Sequence, residues 1–268
     1  MDGEPPLLSN KHYQAESAFA PENLLREARR QRGLRLESVP QLCVLDPDGD
    51  MVRQFSADGR AVRDDNWACY HTELWRVECG GREIGIVGCA VGAPFAVLIA
   101  EELFASGCAL LISVTSSGQL VPVQKTPYFV LIDRALRDEG TSYHYEPPSE
   151  FSAAPAHLIA AVKDGFKDLS VLVLQGATWT TDAPFRETEG AIAAMKEKGL
   201  LAVEMEAAAL YAFARMRQKD VLCFAHVTNQ MAQIEGDFEK GEADGAPDAL
   251  SVVLCAAKLI LGQSETQR

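Results

Sequence analysis

The chain has 268 residues, with 25 lysines and arginines against 38 aspartates and glutamates, a formal charge of −13. A field of that sign repels phosphate backbones and anionic lipid, so neither nucleic acid nor a membrane surface is expected as a partner. Small anions remain open only where basic groups gather locally. The length and an apolar share of 47% suit a single large α/β domain with a substantial core.

Residues 1–40 read as an N-terminal arm and a short helix, and residues 41–268 as the α/β domain. The helix runs over Pro21–Arg32, with proline at its start, cations in its last turn and Gly33 to stop it. No secretory signature opens the chain and no apolar run approaches the roughly 20 residues of a membrane span, so a cytoplasmic location is expected. The seven cysteines are scattered without a CxxC pair, which points to buried thiols rather than disulfides or zinc, and no metal site is expected.

From about residue 41, strand-length apolar runs alternate with helical patterns. The strands are Ile84–Gly88, Ala109–Val114, Ser170–Gln175 and Val221–Val227. The helices are Pro94–Ser106, Pro155–Lys167, Phe185–Lys198, Met205–Arg217 and Asp248–Leu261. Near-continuous apolar strands separated by helices describe a sheet covered on both faces. Ligands of such folds gather where strands run into helix N-termini.

Four stretches have that placement. The first, LDPDGDMVR (Leu45–Arg53), reads either as a hairpin turn or as a loop in which Gly49 allows close backbone approach and Arg53 grips an oxyanion. In the second, SVTSSG (Ser113–Gly118), hydroxyls and glycine suit a phosphate or sugar, or simply end a strand. The third, TTDAPFRET (Thr180–Thr188), offers Thr181 and Asp182 as helix caps. Its Phe185 is either a core residue or a stacking platform for a base that Arg186 reads. The fourth, LLAVEMEAAALYA, sets Glu204 and Glu206 at a strand-to-helix junction, where helix N–H groups favour anions. Two acids beside so apolar a helix still call for partners.

Taken in order, VEMEAAALYAFA, the turn GCAVGAPFAVLIAEEL (Gly88–Leu103), GDMVR and TSSG resemble the nucleoside phosphorylase-I superfamily of purine nucleoside phosphorylases, uridine phosphorylases and related nucleosidases. The likeness runs from about residue 43 to 260. It implies a single-domain three-layer α/β/α sandwich with a mixed, barrel-like central sheet. It also implies a homo-oligomer (dimer, trimer of dimers or hexamer). The implied reaction is cleavage of a nucleoside by inorganic phosphate as co-substrate, with no cofactor and an oxocarbenium-like transition state. On this resemblance Gly49, Arg53, Thr115 and Ser116 hold phosphate, and Arg137 supplies a second cation. Glu206 takes the ribose hydroxyls with Met205 against the sugar face, and Glu204 is either a further sugar contact or structural. Phe185, Arg186, Asn229 and Gln230 meet the base, with Arg53, Glu206 and Asn229 as the catalytic set.

Two departures from the family pattern stand out. Ser113 occupies the place of an arginine ahead of the second phosphate loop, as in the water-using nucleosidases. Asn229 replaces a catalytic aspartate, which favours uracil or 6-oxopurines over adenine, because an amide donates a hydrogen bond but cannot protonate a leaving purine. Besides phosphorolysis, the same residues therefore leave open a nucleosidase and a catalytically inactive nucleoside-binding protein.

Overall fold

The structure is a computed structural model that describes residues 5–231 and 235–265. The helix α1 (Pro21–Arg32) ends as expected on Gly33, whose φ of 67° is left-handed. Its Leu25 and Ala28 pack with Ala68 in a small cluster joined by Ala105, so this helix lies on the domain.

In chain order the domain then runs β1 (Leu42–Asp46), α2 (Asp50–Ala57), β2 (Ala61–Arg63), β3 (Trp75–Cys79), β4 (Arg82–Gly88), α3 (Ala93–Ala105) and β5 (Leu110–Gln119). It continues through β6 (Tyr128–Asp138), β7 (Phe151–Ala153), α4 (Ala156–Val162), β8 (Val173–Thr181), α5 (Glu189–Glu197), β9 (Ala202–Glu204), α6 (Ala207–Arg217), β10 (Asp220–Asn229) and α7 (Ala246–Glu265).

The strand order is β10-β6-β8-β9-β5-β1-β4-β3-β2, with β7 on β6, and β10 also pairs with β5. That extra pairing closes β5, β10, β6, β8 and β9 into a barrel, and β1 to β4 continue from it as an open sheet. The sheet is mixed: β1, β4, β5 and β10 run parallel, whereas β6 is antiparallel to β10 and β9 to β5. Strand β5 joins the two parts. Its first residues lie between β1 and β10, and its last two pair with β9.

The period-2 alternation of strands sorts the side chains into two layers. Cys43, Leu45, Leu111, Cys223 and Ala225 face α3 and α6. Leu42, Val44, Leu110, Ile112, Leu222 and Phe224 face α2, α4 and α7. The result is the expected three-layer α/β/α sandwich in a single domain. Buried Tyr211 pins α6 to the barrel: its hydroxyl donates to the Ile132 carbonyl (2.6 Å) and accepts from the Cys223 N–H (3.0 Å).

Several boundaries differ from the sequence reading. Strand β6 was hidden by charged residues within YFVLIDRALRD, and β8 lies further along the chain than Ser170–Gln175. The helix expected from Phe185 begins at Glu189. Its cap is Thr188, which accepts from the Ala191 N–H at 3.3 Å; Thr181 and Asp182 cap nothing there. Asp182 instead accepts from the Gly140 N–H (2.8 Å). The DPDGD turn joins a strand to a helix and is no hairpin. Finally, the stretch Glu242–Gly262, most of it in α7, is by length and composition alone long and apolar enough to cross a membrane, where the sequence predicts no such span. Its Val252, Val253, Ala256 and Ala257 are core residues of this fold.

Candidate active site

The β1–α2 turn is built on Gly49, which stands before the first residue of α2 at a φ of 76°. A Cβ there would lie 2.7 Å from Cys89 Sγ and 2.9 Å from Arg53 Nη1, so glycine serves both the backbone conformation and the close packing. Arg53, one turn into the helix, donates from Nη1 to the Asp48 carbonyl (2.8 Å) and from Nη2 to Asp50 Oδ1 (2.5 Å). Its side chain stays largely open to solvent. Asp46, at the end of β1, accepts from the Val52 N–H at 3.0 Å. Burial pushes its carboxyl up to about 7 against that bond, and the charges of Asp50 and Asp48 add to the rise.

The end of β5 meets this turn. The Ser116 N–H donates to Asp48 Oδ2 (2.7 Å), and the Ser116 hydroxyl shares a hydrogen bond with Thr228 of β10 (2.8 Å). Buried Thr115 has its hydroxyl against Glu206.

At the β9–α6 junction the two acids separate. Glu204 is buried and accepts four internal hydrogen bonds: Thr178 Oγ1 (3.1 Å), Thr180 Oγ1 (2.5 Å), and the N–H groups of Glu206 and Ala207 (both 2.7 Å). It thus satisfies amides that the start of α6 would otherwise leave bare. Glu206 reaches the other way. Its Oε1 accepts from the Gly92 N–H (2.7 Å) at the β4–α3 turn. Burial first, and the nearby Glu204 charge second, push the Glu206 carboxyl up to about 8, with the Gly92 and Thr115 hydrogen bonds opposing them. Burial raises Glu204 as well, against its four donors. Met205, between the two acids, is half-buried.

Asn229 closes β10, buried, with Oδ1 accepting from the Met231 N–H (2.9 Å) and Nδ2 donating to Thr228 Oγ1 (3.1 Å). Gln230 is exposed, and its N–H donates to Asp237 (2.9 Å).

The structure therefore gathers Gly49, Arg53 and Ser116 around the first turn of α2, with Thr115 next in sequence to Ser116. Glu206 is in contact with Thr115, and Asn229 follows the Thr228 that bonds Ser116. Two groups stand apart. Arg137 is buried and donates to the Ser142 and Ser149 hydroxyls and the Pro147 and Glu146 carbonyls, so it closes its own loop and does not reach the Arg53 cluster. Phe185 and Arg186 lie on a short 3-10 turn, with Phe185 fully exposed. Buried Ser113 has a hydroxyl without a partner among the described residues.

The sequence does not single out Asp48, Gly92, Thr228 or Lys240, whose ammonium donates to Asp50 Oδ2 at 2.6 Å. Asp48 was visible only as part of a turn, and Lys240 sits in a segment, FEKGEADG, without a motif. No group of three or more metal-ligating side chains occurs among the described residues.

Comparison with known proteins bears on this geometry. The chain is 29% identical over 142 residues to a guanosine phosphorylase of Halorubrum lacusprofundi, covering 51% of this chain and 57% of that protein. The chain thus spans little more than half the length of that relative. It is 28% identical over 193 residues to a uridine phosphorylase of Treponema pallidum, covering 67% of this chain and 74% of that protein. The crystal structure of a uridine phosphorylase from Vibrio fischeri superimposes with a TM-score of 0.71 at 19% identity, over 87% of this chain and 99% of that one, a likeness of fold. With the phosphorylase superfamily model (PNP/UDP type) matching residues 41–257, from the start of β1 into α7, the chain belongs to that superfamily.

Proposed function

We propose that this chain cleaves the N-glycosidic bond of a uridine-like or 6-oxopurine nucleoside with inorganic phosphate, giving the free base and ribose 1-phosphate. The observation that carries the reading is the Glu206 carboxyl, buried against Thr115 and the Gly92 N–H, next to an Arg53 loop built on a left-handed glycine. A nucleoside phosphorylase needs those two elements side by side: an acceptor for the ribose hydroxyls and an anion seat facing the anomeric carbon.

In this reading a phosphate oxygen forms the new bond to the anomeric carbon as the C–N bond breaks, and the bonding pair leaves with the base. Positive charge develops on the sugar while Glu206 holds the hydroxyls; the carboxylate form, which gains weight as pH approaches 8, also stabilises that charge. Asn229 donates a hydrogen bond from Nδ2 to the departing base, which picks up its proton from water. An amide suits a carbonyl-bearing base, and Gln230 is placed beside it in sequence. Met205 packs on the sugar. Phe185 and Arg186 contribute to the base site in a homo-oligomer, a role supported by the bare Phe185 ring that a single chain leaves uncovered.

A second reading rests on Asp48. Its carboxylate already accepts from the Ser116 N–H, a donor the phosphate seat would use. A carboxylate there repels phosphate but accepts a proton from water, which fits a nucleosidase. Product analysis on a panel of nucleosides, with and without phosphate, separates the two. Phosphorolysis gives ribose 1-phosphate only when phosphate is present, and hydrolysis gives free ribose in either case. Binding by calorimetry without any base release would replace both readings with a nucleoside-binding protein.

A further inference from the structure

The phosphate seat described above has one cation from its own loop, Arg53, and buried Ser113 brings none from β5. A phosphate dianion generally calls for more than one positive group. The segment between β10 and α7 supplies a candidate from 190 residues away in sequence. Lys240 Nζ lies 2.6 Å from Asp50 Oδ2, while Asp50 Oδ1 accepts from Arg53 at 2.5 Å. Asp50 is thus a bridge that holds two cations on opposite oxygens of one carboxylate, at the first turn of α2. The Lys240 side chain is largely buried, so the ammonium is fixed in position.

The Asp48 carboxylate marks where an anion would sit. One of its oxygens is 2.7 Å from the Ser116 nitrogen and the other is 3.9 Å from Lys240 Nζ. Two oxygens of phosphate are spaced much like those of a carboxylate, so an anion on the Ser116 amide would also reach Lys240. The path of the segment is built to deliver it. Gly241 and Gly245 take φ of 93° and 77°, and a Cβ on Gly245 would collide with the His226 ring. That ring stacks on Phe129 with centroids 4.5 Å apart. Burial and Lys240 itself hold His226 down at about 4, so His226 is neutral at neutral pH and adds no charge there.

We propose that Lys240 is the second cation of the phosphate seat, taking over the charge that Ser113 lacks, with Asp50 positioning it beside Arg53. The proposal rests on the reading of residues 49–53 and 115–116 as a phosphate site. A lysine that merely neutralised Asp50 would matter for stability and not for phosphate.

The test compares wild type, Lys240→Met and Lys240→Arg. Two quantities are measured: the KM for inorganic phosphate against that for nucleoside, and the rise in Tm on titrating inorganic phosphate without nucleoside. Lys240→Met is expected to raise the phosphate KM at least tenfold, to leave the nucleoside KM within about twofold, and to lose most of the phosphate-dependent rise in Tm. Lys240→Arg should keep phosphate affinity within about threefold. An unchanged phosphate KM in Lys240→Met overturns the proposal. So does an equal loss in both variants that follows their Tm in phosphate-free buffer. If wild type releases base without phosphate, phosphorolysis fails as the function, and the Tm titration still decides this point. Protection by phosphate that is lost in Lys240→Met upholds the role, and no protection in wild type ends it.

Discussion

Glu206 and Gly92 are 114 residues apart in sequence, and the Gly92 N–H donates to Glu206 Oε1 at 2.7 Å. This bond ties the start of α6 to the β4–α3 turn and aims the carboxyl away from Glu204. Glu204 is saturated by four donors of its own. Two acids one residue apart therefore have different surroundings, and their substitutions should have different consequences.

Glu206→Gln is expected to lower kcat/KM for nucleoside at least tenfold at pH 8 and above, where the ionised carboxylate, a paired acceptor, becomes a mixed donor and acceptor. Wild-type kinetics in the variant would remove Glu206 from the ribose site. The same substitution should change the dependence of stability on pH. An acid whose carboxyl is raised from 4.5 to about 8 by folding adds stability that is fully present below 4.5. That contribution is lost as pH climbs through 8. Glutamine stays neutral, so the Tm of Glu206→Gln relative to wild type should rise between pH 5 and pH 8 and level off above that. A flat difference would show that the wild-type carboxyl titrates near its ordinary value.

Glu204→Ala should act on folding first. It strands two amides at the start of α6 and two threonine hydroxyls in the core, at a cost of roughly 3 kcal/mol or more. Urea denaturation measures this, and Thr180→Val should reproduce part of it, because Thr180 also accepts from the Ala208 N–H (3.0 Å). A Glu204→Ala protein of wild-type stability with impaired nucleoside binding would instead make Glu204 a sugar ligand.

Arg53→Ala should raise the phosphate KM far more than the nucleoside KM. Gly49→Ala should do the same with an added stability loss of about 1–3 kcal/mol, because alanine is strained at a φ of 76° and its Cβ crowds Cys89 and Arg53. If the phosphate KM is unchanged in both, the β1–α2 turn is not the anion site.

Asp48→Asn discriminates between the two chemistries. The amide oxygen still accepts from the Ser116 N–H, while the negative charge is gone. A phosphorylase should then show a phosphate KM at least threefold lower. A hydrolase that uses this carboxylate should lose at least tenfold in kcat with water.

Much of this architecture is legible in the residues. The apolar runs at Ile84–Gly88 and Val221–Val227 mark strands buried on both faces, and helix stops such as Gly33 are local chemistry. The conformation of the GDMVR turn follows from a glycine that alone accepts it easily. Strand β6 was hidden because Asp133, Arg134 and Arg137 interrupt its apolar pattern. The start of α5 was misplaced because three candidate caps occur within eight residues, and local preference does not choose among Thr181, Asp182 and Thr188.

Local chemistry along the chain sets the alternation of strands and helices in covered layers, and puts two acids where β9 hands over to α6. Tertiary structure decided which acid faces the candidate site, because Glu204's threonine partners come from β8 and Glu206's amide partner from the β4–α3 turn. It also closed the barrel through β10 and β5 and brought Lys240 to Asp50. These are contacts between residues from 24 to 190 positions apart in the chain. A hydrogen bond or an ion pair depends on atoms meeting in space, and composition and periodicity describe only each residue's neighbours along the chain.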